Sequence, residues 1–509
     1  MARERLGDQQ PQMDGGLNAI SDDISLQPNQ LRQTINARLT DYGAITKRGG
    51  TRRTAAELSV GDDVLNGYNW SKDNGTEEIL AVCDGSLFTT TYSGTFPWTW
   101  TQRTGALSAA VAPTFAQFRD GTGADVVYIS DGGALNKWTG SALSVDLANT
   151  VSTSIIQVHN ERLWGAGNSS FPDSIFYSAL NNGDTLGYGT GGGGQIVVRT
   201  FGDEAVVGLA SINTSLLIFH RRGISRLTGY GQDDITVQPA AITADVGTIA
   251  AKSIVASNNV AYFISERGLY RCNEMEVAPV GTAQTPDPLL PIIRELTSAV
   301  FDNIRCVVNR ATKELWISIP TVGCYQYHLV LNAWSGPWNT AYVSPGTTAL
   351  FEVIDNNGLP VVLRGDEGGF VSLCDAPADA LDNVQPNGTG GESYLMQAQM
   401  HRLYCGDDAM AKALRWGYLT AQLKGSQDCS VSWTTDEAFG TFQLPPSSAG
   451  VWSLSETWDS GVWGGAGSRN YRIPMGGTGY YIDLAIADSG TALPIFSRMQ
   501  VETFALGRR

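Results

Sequence analysis

The residues able to do chemistry in this chain are few and scattered. There are four histidines, His159, His220, His328 and His401, each in a different segment. None forms an HExxH or i,i+4 pair, so a zinc site or a Ser-His-Asp constellation would have to be assembled from distant loops. No Gly-x-Ser-x-Gly nucleophile elbow occurs. The adjacent carboxylates Asp233-Asp234, Asp366-Glu367 and Asp407-Asp408 have the chemistry for acid/base hydrolysis of glycans. In a chain with 50 Asp and Glu, however, such pairs arise by chance. The segment Asp120 to Asp125 lacks the alternating acids and closing Glu of a calcium loop. The run Gly189-Thr190-Gly191-Gly192-Gly193-Gly194 is followed by no Lys-Ser/Thr pair, which rules out a phosphate loop and leaves an exposed loop. The expectation is a protein that is not an enzyme, with no catalytic, metal or cofactor-binding residues and no cofactor.

The elements around these residues repeat. An apolar run of strand length, a Gly-containing turn and a second run recur as Ile79 to Phe88, Val126 to Leu135, Leu216 to Ile224 and Ala261 to Tyr270. Looser copies begin at Arg162, Glu314 and Leu359. Starts roughly 35 to 55 residues apart match one four-stranded propeller blade per unit. A single blade cannot bury both of its faces, so the units must stack into a ring. Asp131, Gly132, Gly223 and Gly268 should then lie at hairpin turns. The 58 glycines suit a many-stranded antiparallel protein, and the only helical stretch predicted is a short connector over Pro288 to Ser298.

At 509 residues the chain exceeds the size at which one core stops growing. The expected fold class is all-β: a β-propeller over 56–380, an extended N-terminal docking arm over 1–55 and a C-terminal β-sandwich-like domain over 392–509. An Asp/Pro/Asn/Gly-rich stretch at 376–393 reads as a linker or long loop. The opening residues lack the apolar core of a signal peptide and no run reaches the length of a membrane span, so synthesis in the cytoplasm without stable membrane insertion is expected. No two of the seven cysteines form a CxxC pair, and most sit in strand-like runs, which points to buried thiols.

Net charge is −16, distributed unevenly: residues 1–53 carry eight basic and six acidic groups, a local +2 that leaves −18 elsewhere. So acidic a body repels nucleic acid, which argues against specific DNA binding but suits a surface that DNA must pass without sticking. The arm is polar and too poor in apolar side chains for a core of its own, so it is expected to be weakly structured until packed on a neighbour. Its basic cluster Lys47, Arg48, Arg52 and Arg53 reads either as a solvated loop or as a docking element. Arg38 is a further pairing candidate, and Leu17 and Leu39 are candidate apolar anchors. Trp452, Trp458 and Trp463 lie in a Gly-rich loop that is either a small folded-over core or, in the favoured reading, an exposed contact patch.

The arm and the better repeats resemble the tail nozzle, or tail hub, proteins of short-tailed bacteriophages, also called packaged-DNA stabilisation proteins. The residues that carry the likeness are Gly16-Leu17-Asn18, Leu26 to Gln30, Asn36-Ala37-Arg38-Leu39 and Gly43 to Thr51. Further on they are Glu161 to Ala166, Ile175 to Ser178, Leu217-Ile218-Phe219 with Gly223-Ile224, and Phe263 to Tyr270. Together these cover roughly residues 14–275. Family members often have Pro after the Lys-Arg pair, where this chain has Gly49. The resemblance implies a structural virion protein: a homohexamer below the portal and adaptor that continues and closes the DNA ejection channel. It also implies docking surfaces for tail fibres or spikes, a place in the virion tail, and DNA passing through the lumen without specific binding. The alternative from the residues alone is a propeller-fold glycan-binding protein or a polysaccharide hydrolase or lyase.

Overall fold

The computed structural model describes residues 5–9, 13–22, 25–187, 189–228, 239–282, 284–376, 380–404, 410–423, 428–445, 468–491 and 493–507. Among them, seven four-stranded antiparallel sheets follow one another along the chain. Blade 1 runs from the inner strand Val64–Ser71 through Glu77–Cys83 and Ser86–Thr90 to the outer Thr101–Gln102. Blades 2 to 6 repeat the pattern from inner strands Thr114–Arg119, Ile155–His159, Val206–Ile212, Val255–Ser257 and Arg305–Asn309. Each inner strand neighbours the next, and the inner strand of blade 7, Thr347–Ile354, returns to Val64–Ser71 and closes the ring. This is a seven-bladed β-propeller.

Each sequence repeat is the hairpin between the second and third strands of a blade. In blade 1 the pairing of Cys83 with Ser86 leaves Asp84 and Gly85 as a two-residue turn, both at positive φ (48° and 63°). That backbone matches the strand twist and suits Asp-Gly. Asp131-Gly132 and Gly223 fall between blade strands, and Gly268 closes the Glu266-Arg267 hairpin as the residue paired with Ser265. Apolar side chains on both faces of these central strands pack against the neighbouring blades: Leu80, Val82 and Leu87 meet Val127, Ile129 and Trp138. The predicted connector is the helix Leu289–Glu295. The glycine run forms a 3-10 turn, Gly189–Gly191, leading into the outer strand Gly194–Val197 of blade 3.

Blade 7 is completed from the other end of the chain. Its three sequential strands are Thr347–Ile354, Pro360–Asp366 and Val371–Ala376, and its outer strand is Gly50–Arg53. The N-terminal arm therefore latches the ring. The remaining arm strands enter the second domain, a sandwich of two sheets. One sheet has the order Arg469–Pro474, Ala411–Gln422, Ile495–Gly507, Ile45–Lys47, Ala37–Leu39, with Arg5–Gln9 also pairing along Ile495–Gly507. The other runs Gly16–Leu17, Gln30–Ile35, Met396–Met400, Asp483–Asp488, Cys429–Thr434, Phe439–Gln443. Its core mixes both ends of the chain: Leu31, Leu39 and Ile45 pack with Met396, Leu419, Val431, Ile486 and Phe496.

The fold class is as expected, but the arm is neither weakly structured nor separate from the C-terminal domain. It lacks a core of its own because it shares one with residues 396–507. The 376–393 stretch is likewise held where it is described: Val384 bridges the arm at Arg52, and Asp382 pairs with Glu392.

Candidate functional site

The basic residues of the arm meet at the joint between sandwich and propeller. Arg48 lies fully buried and uses all five of its N–H donors. Its Nε donates to Asn36 Oδ1 (3.0 Å), Nη1 to Gly49 O (3.0 Å) and Asp382 Oδ1 (2.7 Å), and Nη2 to Asn339 O (3.2 Å) and Asp382 Oδ2 (2.5 Å). The guanidinium also stacks 3.9 Å over the Tyr394 ring, whose hydroxyl donates to Arg48 O (2.6 Å). Burial alone would lower this group's pKa, but the Asp382 carboxylate outweighs that and holds it raised. Asn36 supports the arrangement at φ 50°, a left-handed backbone that Asn tolerates well. Its amide donates to Leu395 O (2.8 Å), and its Oδ1 accepts the Asn339 N–H (3.0 Å).

The other predicted interface residues are also committed within the chain. Arg38 bridges Glu314 of blade 6 (2.8 Å) and Asp375 of blade 7. Lys47 is buried, with its amine donating to Gly490 O (2.6 Å) and 3.4 Å from Asp488; burial pushes its pKa down against the pull of that carboxylate. Arg52 donates to Pro386 O (3.0 Å) and lies over Phe96, while Arg53 lies over Phe370. Leu17 packs into the blade 6 core with Leu315 and Trp334, and Leu39 into the sandwich core. These side chains find partners within the chain because the arm crosses the seam between two domains, with Arg38, Arg52 and Arg53 left partly exposed. Trp452, Trp458 and Trp463 lie outside the described residues, as do Asp233-Asp234 and Asp407-Asp408.

The remaining candidates are structurally occupied. Asp120 accepts from Thr122 N, Thr122 Oγ1 and Ala124 N, and the Lys137 amine sits between Asp120 and Asp184, where a calcium loop would hold its cation. Asp366 is buried against Arg364 (2.9 Å). His159 meets Ser211, His220 donates its Nδ1–H to Glu204 O, and His328 faces Asp41. Among the described residues, six cysteines are free and buried, and no group of His, Cys, Asp and Glu could hold a metal ion.

A feature that motif reading missed lies on the propeller axis. A cavity of about 280 Å³ opens where the inner strands begin and is lined by residues of six inner strands and by Ala251, Lys252 and Ile254 at the entry to blade 5. Glycines bring the walls close: a Cβ on Gly67 would meet the Phe351 ring at 2.3 Å, and one on Gly208 would meet Ile254 Cδ1 at 2.0 Å. Tyr68 and Phe115 stack at 5.6 Å on one side. Lys252, in the 3-10 turn Ala251–Ser253 that enters blade 5, reaches across to donate to Ala112 O of the blade 1–2 connection (2.7 Å). Arg305 lines the same cavity and donates to the carbonyls of Thr348, Asp302 and Ile304. A second opening, of about 580 Å³, lies at the far ends of inner strands in blades 4 to 6. Its cations are paired, Arg310 with Glu352 and Lys313 with Asp41.

Fold and site together define a seven-bladed β-propeller latched and extended by a β-sandwich built from both ends of the chain. No family model and no curated protein matches it. Among solved structures, it is similar to the extracellular domain of the hybrid two component system BT4673 from B. thetaiotaomicron. That match has 10% identity and a TM-score of 0.43, over 65% of this chain and 41% of that one. The corresponding domain of BT3049 from the same organism is similar at 14% identity and a TM-score of 0.38, over 64% and 41%. The chain thus spans about two fifths of the length of these structures.

Proposed function

We propose that this chain is a structural subunit of a short-tailed phage tail, a nozzle or hub protein that assembles as a homohexamer below the portal and adaptor. The observation that supports the reading is the joint. The arm residues that carry the likeness, Gly16-Leu17-Asn18, Asn36 to Leu39 and Gly43 to Thr51, are those that bind sandwich and propeller through buried contacts. A subunit bearing the pressure of a packaged genome needs two domains that do not hinge, and a fully bonded buried Arg–Asp pair supplies that rigidity. The Gly49 departure also has a role, because its N–H donates to Asp375 Oδ1 (2.7 Å), a bond proline cannot make.

In this reading the DNA channel lies between subunits. The propeller axis is crossed by Lys252, whereas a duplex has a major groove alone about 12 Å wide. The lumen would be acidic, consistent with a net charge of −16 per copy, so phosphate is not trapped. Adaptor and fibre proteins would dock on surfaces other than the buried arm cations. Symmetry-averaged imaging of the particle carrying the chain should show six copies around an axial channel. Two-fold or three-fold order, or a chain absent from virions, overturns the reading.

The second reading, a glycan-binding propeller, draws on one observation: the axial cavity combines stacked aromatic rings with cations at a blade-loop face. Its test is a glycan array probed with the monomeric protein, where no binding above background would exclude it.

A further inference from the structure

We infer that the axial cavity of the propeller is a binding site for a carboxylate carried on a single sugar-sized ring. The inference deepens the glycan-binding reading and does not depend on the tail assignment. Two cationic side chains converge on this cavity, and among the described residues neither forms an ion pair. Their bonds go only to backbone carbonyls: one from Lys252 and three from Arg305. Three other buried cations, Arg48, Lys47 and Arg364, each have a carboxylate against them. Among the described residues, Arg162 of blade 3 donates to Ser178 O alone and stacks near Tyr177, away from the axis; at the axial cavity two such carboxylate-free cations come together. Burying charge without a partner is costly, so an unpaired pair at an open cavity is the arrangement expected where the counter-charge arrives with a ligand.

The groups facing Lys252 are consistent with this. Burial, then the neighbouring Arg305, pushes the amine down to about 8, with Asp302 acting weakly the other way. Arg305, itself lowered by burial to about 10, stays charged at neutral pH. Burial raises the Tyr68 hydroxyl and the Cys306 thiol, which therefore add no negative charge. The shape selects the ligand class. At about 280 Å³ the cavity is at the lower limit of ligand pockets, roughly 300 Å³, so it holds one ring rather than a chain. The Tyr68–Phe115 pair, with Phe351 nearby, offers an apolar face for the ring, while the cations take the carboxylate.

Isothermal titration of the full chain with D-glucuronate, D-glucose and inorganic phosphate tests the inference. Glucuronate should bind about tenfold or more tightly than glucose, the discrimination of one charge-assisted bond. Lys252→Met should lose about tenfold in glucuronate affinity, while Lys252→Arg, which keeps the charge, should retain most of it, with both variants melting as cooperatively as the parent. At pH 8 binding should take up protons, seen as a heat that changes with the buffer's ionisation enthalpy, because the anion favours the charged amine. Repeating the titration with an oligosaccharide ending in glucuronate distinguishes a free acid from a polymer terminus; either one binding through Lys252 supports the site. Equal binding of glucose and glucuronate would overturn the carboxylate inference yet leave glycan binding standing. Preference for phosphate, or no binding by any of the ligands, would also overturn it, and a blank glycan array besides would remove the parent reading.

Discussion

Arg48 and Asp382, 334 residues apart in sequence, form a fully buried two-pronged ion pair at the seam where the N-terminal arm, the last propeller blade and the sandwich meet. Removing one partner leaves the other charge buried and unpaired. Asp382→Ala should therefore cost about 3–5 kcal/mol, measured as a lower urea midpoint with unchanged slope. Replacing both residues with apolar ones of similar volume should recover part of that loss.

Deleting residues 1–55 should abolish cooperative folding rather than free a propeller. The cut removes the outer strand of blade 7 and strands from both sandwich sheets, exposing edges and core together. Limited proteolysis and a thermal melt followed by circular dichroism check this. A protease-resistant, cooperatively melting product would contradict it.

Gly49→Pro should destabilise this chain by about 1–3 kcal/mol. It removes the N–H that Asp375 accepts and leaves a carboxylate oxygen short of a donor. Gly49→Ala should also cost stability, because its Cβ would lie 2.6 Å from the Asp375 carbonyl carbon. Melting both variants beside the parent tests the pair.

Stability should vary with pH through Lys252. Its amine has a pKa of about 8 when folded and near 10.5 when unfolded, so between those values the unfolded chain binds more protons. Stability from this group therefore rises with pH across that window, by on the order of 1–2 kcal/mol once partial solvent contact is allowed for. Denaturant midpoints of the parent should gain on those of Lys252→Met from pH 8 to 10.5. A constant gap would show that the amine is not depressed.

The blades were legible because their signal is local. Strand, turn and strand lie within about ten residues, and Asp84-Gly85 or Glu266-Arg267-Gly268 state the hairpin outright. The arm was not, because its strands are short and their partners lie hundreds of residues away: Arg53 pairs with Ser372, and Ile45 with Phe496. A cluster such as Lys47-Arg48 looks like a solvated loop until Asp488 and Asp382 are placed beside it. Lys252 carried no motif at all. It sits in an ordinary Ala-Lys-Ser turn, and only ring closure brings it to the axis.

The latch strand Gly50–Arg53 leaves the ribosome early, while its partner Val371–Ala376 follows roughly 320 residues later. At synthesis rates of about 5–20 residues per second, that is a wait on the order of 16–60 s with the ring open. Through that interval the nascent chain carries an unmatched sheet edge and an unfilled half-core, the surfaces that recruit chaperones or other nascent copies. Closing so long a loop comes late and slowly, and it completes both domains in the same event. The chain thus has its own checkpoint: a prematurely terminated product has no closed ring or complete sandwich, and is exposed to proteolysis.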